Sequence, residues 1–188
     1  MTNNSNQYHF ITHWKVKGTP EEVFTILDDI DCLTEWWPSV YLDLKVHEPG
    51  DDKGIGKVVE LYTKGWLPYT LKWKFRSTRK VFPHTLALEA IGDFNGQCEW
   101  TIKADQDNIH CNLTYDWRIS AEKPILRYFS FIMKPIFSAN HHWAMRTGEE
   151  SLKLELRRRR AKSEAESILI PKPPGPTFPH NLTNNDVL

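Results

Sequence analysis

The apolar pattern of this chain changes period once, from strand-like to helical, and that switch constrains the fold more than any single motif. In Tyr69 to Arg76, Tyr69, Leu71, Trp73 and Phe75 alternate with Thr70, Lys72, Lys74 and Arg76. In Ile109 to Ile119, Ile109, Cys111, Leu113, Tyr115, Trp117 and Ile119 alternate with His110, Asn112, Thr114, Asp116 and Arg118. Successive side chains of a strand point to opposite faces, so each run is a strand with one apolar face. Turn signals at Pro49-Gly50-Asp51-Asp52, Lys64-Gly65, Phe82-Pro83-His84, Asn95-Gly96 and Asp105 to Asn108 divide Val40 to Ile119 into six strands of an antiparallel meander. After Lys123-Pro124 the pattern turns helical. A short segment, Ile125 to Met133, runs up to Pro135, which either kinks the helix or begins a new one, and one long helix continues to about Arg160. Its packing face carries Phe137, His141 or Asn140, Ala144, Gly148, Ser151 or Leu152, and Glu155 or Leu156; the small residues in the middle let its backbone lie close against a sheet.

A further strand and a helix precede the meander. Tyr8, Phe10, Thr12, Trp14 and Val16 alternate with His9, Ile11, His13 and Lys15. Thr19-Pro20-Glu21-Glu22 then supplies an N-cap, a proline suited to the first helical position and a glutamate able to close a capping box. Val23, Phe24, Leu27 and Ile30 fall on one face of the helix that follows, and Pro38 stops any continuation through Trp36 and Trp37.

Two strand registers can be argued. A tight turn at Asp105 to Asn108 sets Trp100 opposite Leu113, Cys98 opposite Tyr115 and Ile102 opposite Cys111, so that apolar faces meet. It also holds Cys98 and Cys111 four residues apart, ~13 Å along the sheet and too far to bond. At Asn95-Gly96 a two-residue turn would pair Glu89 and Ile91 with Ile102 and Trp100. A three-residue loop, preferred because it buries leucine instead of glutamate, pairs Leu88 and Ala90 with them and implies a bulge.

Composition removes several functional classes. The chain of 188 residues is long enough for one core and is read as one domain over 8–160, with residues 1–7 and the proline-containing 161–188 as disordered tails. Lys+Arg and Asp+Glu each total 24, so no basic excess attracts nucleic acid, and no nucleic-acid partner is expected. The Arg157 to Arg160 run is flanked by glutamates and suits a solvated helix carboxyl end. There is no membrane-spanning apolar run and no secretory pattern, and Cys32, Cys98 and Cys111 have no pairing pattern; the reading is cytoplasmic, without membrane insertion. His9 and His13 share a face without a third ligand, while His141 and His142 point to different sides of a helix, so no metal and no cofactor are assigned. The unusual entry in the composition is aromatic: eight tryptophans, nine phenylalanines and six tyrosines.

The order strand, helix, aromatic connection, six-strand meander and long terminal helix resembles the helix-grip fold of the START-like (SRPBCC) superfamily. The resemblance covers about residues 8–160. It rests on Thr-Pro-Glu-Glu-Val-Phe (19–24), Trp-Trp-Pro-Ser-Val (36–40), Gly-Trp-Leu-Pro-Tyr-Thr-Leu-Lys-Trp (65–73), Gly-Asp-Phe-Asn-Gly (92–96) and Tyr-Asp-Trp-Arg (115–118). Members labelled polyketide cyclase/dehydrase and lipid transport-like are the most similar. The resemblance implies an α+β domain in which a seven-stranded curved antiparallel sheet wraps a long C-terminal helix around a hydrophobic cavity.

The expected cavity residues are Tyr69, Trp73, Phe75, Trp100, Tyr115, Trp117, Phe137, Asn140 and His141. Trp36, Trp37 and Trp66 are placed at its rim; for Trp36 and Trp37, a plug at that end or plain core tryptophans are the alternatives. Aromatic walls suit a small hydrophobic or aromatic ligand, a lipid or a polyketide-like metabolite, which makes binding or transport the first reading. The alternative is a cyclase, aromatase or dehydratase, with His141 as acid or base and Tyr69 or Tyr115 donating to a carbonyl that becomes an enolate. A third possibility is an interaction module with a solid interior.

Overall fold

The computed structural model describes residues 7–121 and 130–177, with residues 94, 121 and 130–134 described by backbone alone. The sheet has seven strands: β1 (Gln7–Lys17), β2 (Tyr41–Glu48), β3 (Val58–Lys64), β4 (Thr70–Val81), β5 (Thr85–Gly92), β6 (Phe94–Ala104) and β7 (His110–Ala121). Their spatial order is β1-β7-β6-β5-β4-β3-β2, and every neighbouring pair is antiparallel. Helix α1 (Pro20–Asp28), a 3-10 turn (Ile30–Cys32) and the short α2 (Leu33–Trp36) lie between β1 and β2. Helix α3 (Ser130–Arg159) follows β7, and α4 (Glu164–Ile168) is the last helix among the described residues. This is the α+β helix-grip architecture, in which six strands joined by short turns form a meander and β1 closes onto β7.

Local chemistry accounts for the elements. Thr19 caps α1: its hydroxyl accepts from Glu22 N, while the Glu22 carboxylate accepts from Thr19 N, closing the capping box. Val23, Phe24 and Ile26 bury the inner face of α1. Pro135 lies inside α3, so the long helix begins before the proline; of the separate segment expected at Ile125 to Met133, residues 125–129 fall outside the described residues. Arg160 pairs with Glu22 (Nε to Oε1, 2.7 Å) and Arg159 with Asp29 (2.7 Å), clamping the end of α3 to α1. The core gathers Trp14, Val16, Val23, Ile26, Leu61, Ile102, Leu113, Leu152 and Leu156.

Both registers keep the expected faces together but at a different offset. In β6–β7, Trp100 pairs with Tyr115, Cys98 with Trp117 and Ile102 with Leu113, so the pairing proposed from sequence slips by two residues. The cause is a four-residue loop at 106–109. The Asp107 carboxylate accepts from Ile109 N and His110 N, Asn108 N donates to Asp105 O, and Asn108 takes φ 53°. In β5–β6, Leu88 pairs with Cys98 and Ala90 with Gly96, and Glu89 faces outward as preferred. The turn lies earlier than Asn95-Gly96, with Asn95 Oδ1 accepting from Gly92 N. Gly96 sits within β6 at φ 154°, where a Cβ would stand 2.0 Å from the Arg118 carbonyl oxygen. The β5–β6 pairing runs unshifted from Thr85 to Ala90; the irregularity falls in β4–β5, between Ser77 and Arg79.

Residues 161–177, read from sequence as part of a disordered tail, carry α4 and return to the domain. Ser163 caps α4 through Glu166 N, Arg158 Nη2 donates to Pro171 O (2.9 Å), and Thr177 Oγ1 donates to Trp66 O (3.3 Å). The tail residues 1–6 and 178–188 lie outside the described residues. Among the described residues no helix is long and apolar enough to cross a membrane.

Candidate functional site

Between the sheet and the first half of α3 is an interior space of about 130 Å³. β1 contributes Tyr8 and Phe10, and β7 contributes Tyr115, Trp117 and Ile119. β4 adds Leu71 and Trp73, β6 adds Trp100, the α2–β2 connection adds Trp37 and Val40, and β2 begins with Tyr41. Helix α3 closes the space with Phe137, Asn140, His141, Ala144 and Met145. Thr63, Lys64, Gly65 and Tyr69 complete the wall at the β3–β4 loop.

Eight of the nine residues expected from sequence border this space: Tyr69, Trp73, Trp100, Tyr115, Trp117, Phe137, Asn140 and His141. Phe75 does not. It stands opposite Val59, one inward position beyond Trp73, and is 5% exposed in the core cluster. The expected rim also separates. Trp36 (1% exposed) and Trp37 (4%) both belong to the buried core, and of the two only Trp37 also borders the space. Trp66 is half-buried in the β3–β4 loop, where its carbonyl meets Thr177, and does not border the space.

The rings are arranged in series. Trp100 stacks on Tyr115 (centroids 4.4 Å apart), Tyr115 on Trp117 (6.2 Å), and Trp117 and Phe10 each on the His141 imidazole (5.1 and 4.2 Å). Such a wall offers flat apolar faces to a guest. Trp37 is fixed by neighbours on several sides: edge-on to Trp14 (5.5 Å) and Tyr41 (5.2 Å), and tilted against Trp36 (5.4 Å). Its benzo edge rests over Gly148, where a Cβ would come 2.2 Å from Trp37 Cζ2. The small residue read as admitting a sheet therefore admits this indole.

Three titratable wall groups, His141, Tyr69 and Tyr115, are held neutral. His141 Nε2 lies 3.3 Å from Thr12 Oγ1, and burial, reinforced by neighbouring His142, pulls the imidazole pKa down to about 4. Burial pushes the Tyr69 hydroxyl up to about 12 and the Tyr115 hydroxyl well above its ordinary value. These groups can exchange hydrogen bonds with a guest, but none is tuned for proton transfer near neutral pH. Lys64, the one ionic side chain among the described wall residues, has its pKa lowered by burial. Asn140 Oδ1 accepts from Leu67 N (3.3 Å) and presses on Gly65, where a Cβ would be 2.1 Å from that oxygen, so the helix holds the β3–β4 loop. Among the described residues, no cluster of three or more His, Cys, Asp or Glu could hold a metal ion.

Sequence reasoning missed Tyr8, Phe10 and Tyr41. The first two stood on the inward face of β1, where the signal was present; Tyr41 follows the Trp-Trp-Pro connection, and only the fold turns it toward the space.

No protein-family model matches the chain, and no curated protein matches it in sequence. Solved structures match its shape. The ZhuI aromatase/cyclase from Streptomyces sp. R1128 aligns at TM-score 0.67 and 14% identity, covering 84% of this chain and 98% of that one. Norcoclaurine synthase from Thalictrum flavum, in complex with dopamine and hydroxybenzaldehyde, aligns at TM-score 0.56 and 12% identity, covering 85% and 93%. The di-domain aromatase/cyclase BexL from the BE-7585A biosynthetic pathway aligns at TM-score 0.61 and 11% identity, covering 87% of this chain and 52% of that one. At these identities the likeness establishes the fold, and chemistry has to be argued from the site.

Proposed function

We propose that this helix-grip chain binds or carries a small hydrophobic or aromatic molecule in the space beneath α3. The observation that carries the reading is a hollow of about 130 Å³ walled by stacked rings. An apolar cavity of roughly 150 Å³ accepts benzene. The size therefore favours a ring-sized guest, either a one-ring metabolite or the ring of a larger lipid-like or polyketide-like molecule. Among the described wall residues there is no carboxylate, and His141, Tyr69 and Tyr115 are uncharged at neutral pH. Such a wall recognises area, shape and a few hydrogen bonds.

The cyclase-type reading draws on the aromatase/cyclase neighbours, and the neutral His141 weighs against it, since an acid or base works best with a pKa near the working pH. Native mass spectrometry of freshly purified protein tests the binding reading. A retained adduct lost in Trp73→Ala is the expected result; no adduct, together with no response to added one-ring aromatics, would rule binding out. Turnover of an aromatic substrate that is abolished by both His141→Ala and Tyr115→Phe would instead favour the enzyme.

A further inference from the structure

We infer that Gly148, although it does not border the cavity, sets the size of guest the cavity admits, by fixing the depth at which Trp37 sits. The inference rests on the binding reading above and adds a size-determining residue to it.

Trp37 is a wall residue and is 4% exposed. Its benzo edge occupies the place a side chain at position 148 would take, with Cζ2 2.2 Å, Cε2 2.5 Å and Cη2 2.6 Å from a Cβ there. A methyl group cannot share that space, so either the helix or the indole must move. Helix α3 is held near this point: Thr147 accepts from Ser39 Oγ and donates to Ala144 O, while Ser151 and Leu152 are fully buried. The indole is backed by Trp14, Trp36 and Tyr41 at centroid distances of 5.5, 5.4 and 5.2 Å. Packed interiors yield poorly, whereas an empty space yields readily. The compliant direction is the hollow, and an indole displaced there takes volume from the guest.

The test compares two neutral alcohols that differ by one ring, benzyl alcohol and naphthalenemethanol, titrated by NMR into the full chain. In Gly148→Ala the larger alcohol should lose at least about tenfold more affinity than the smaller, since a pocket discriminates a ring edge at least as strongly as a methylene. Adding Trp37→Leu to that variant should restore the larger alcohol to wild-type affinity or better. An unchanged affinity ratio in Gly148→Ala, or no restoration in the double variant, overturns the assignment. If Gly148→Ala does not fold, Trp37→Leu in the natural background decides: it must shift preference toward the larger alcohol, and an unshifted preference is equally fatal. Failure of the wild-type chain to bind either alcohol would overturn the binding reading as well, whereas wild-type binding with an unchanged ratio overturns only the role of Gly148.

Discussion

Along β1 and β7, the inward residues of one half, Trp14, Val16, Cys111 and Leu113, are at most 3% exposed, whereas those of the other half, Tyr8, Phe10, Tyr115 and Trp117, border the hollow. The two halves share strands, pairing and alternation. What differs is the helix that covers them. The buried cluster of the first half includes Leu152 and Leu156 of α3 with Val23 and Ile26 of α1, branched side chains at most 2% exposed. Over the second half the same helix presents Phe137, Asn140, His141, Ala144 and Met145, of which three are polar or small. A hollow in this fold thus lies where the covering helix mixes bulky with polar or small side chains, while the strand pairing continues unshifted.

The sharpest way to break that comparison is to truncate one residue in each half. Leu152→Ala should cost ~3–4 kcal/mol in urea unfolding, because it opens a cavity in a filled region. Phe137→Ala, in the half-filled region, should cost less than half as much. Equal costs would mean that the two halves do not differ in packing.

Acid comes next, and through His141 it reaches the hollow half. His141 titrates at about 4 when folded against an ordinary 6.5, so between those values the unfolded chain holds the extra proton. The stability linked to His141 is therefore complete above pH 6.5 and is lost as pH falls toward 4, up to ~3 kcal/mol in all. His141→Gln should flatten that arm of a stability–pH curve, and an unchanged slope would show that another group carries it.

Trp117→Ala should weaken binding of a one-ring aromatic by about tenfold, through loss of a stacked ring. An affinity within twofold of wild type, measured by NMR titration, would remove Trp117 from the guest's contacts. The smallest effect belongs to Asn140→Ala. Losing the bond to Leu67 N should cost about 1 kcal/mol locally and speed hydrogen exchange of that amide about fivefold. Unchanged exchange would mean that the loop is held elsewhere.

The division between the halves also explains what was legible in the sequence. Alternation established which side chains face inward, so Trp73, Trp100, Tyr115 and Trp117 were assigned to the interior from the residues alone. Period two fixes a face but not an offset, and the β6–β7 register was decided by one carboxylate, Asp107, gathering two amides into a longer loop. The Thr19 cap was legible because its chemistry is contained within four residues. Phe75 and Trp73 face the same way, and only the position of the covering helix separates core from wall. Likewise nothing local tells Trp36 from its neighbour Trp37: both are buried, and only the fold brings the second to the edge of the space.

The bond from Thr177 to the Trp66 carbonyl bears on where the gene can be cut. Periodicity places the end of the body near residue 160, yet a recombinant version stopped there would lack both this tether and the Arg158–Pro171 contact that guides the chain back. Such a shortened protein would unfold at nearly the same temperature while its β3–β4 connection, deprived of the Thr177 bond, fluctuated more. Exchange rates measured on it would describe a looser vessel than the 188-residue chain.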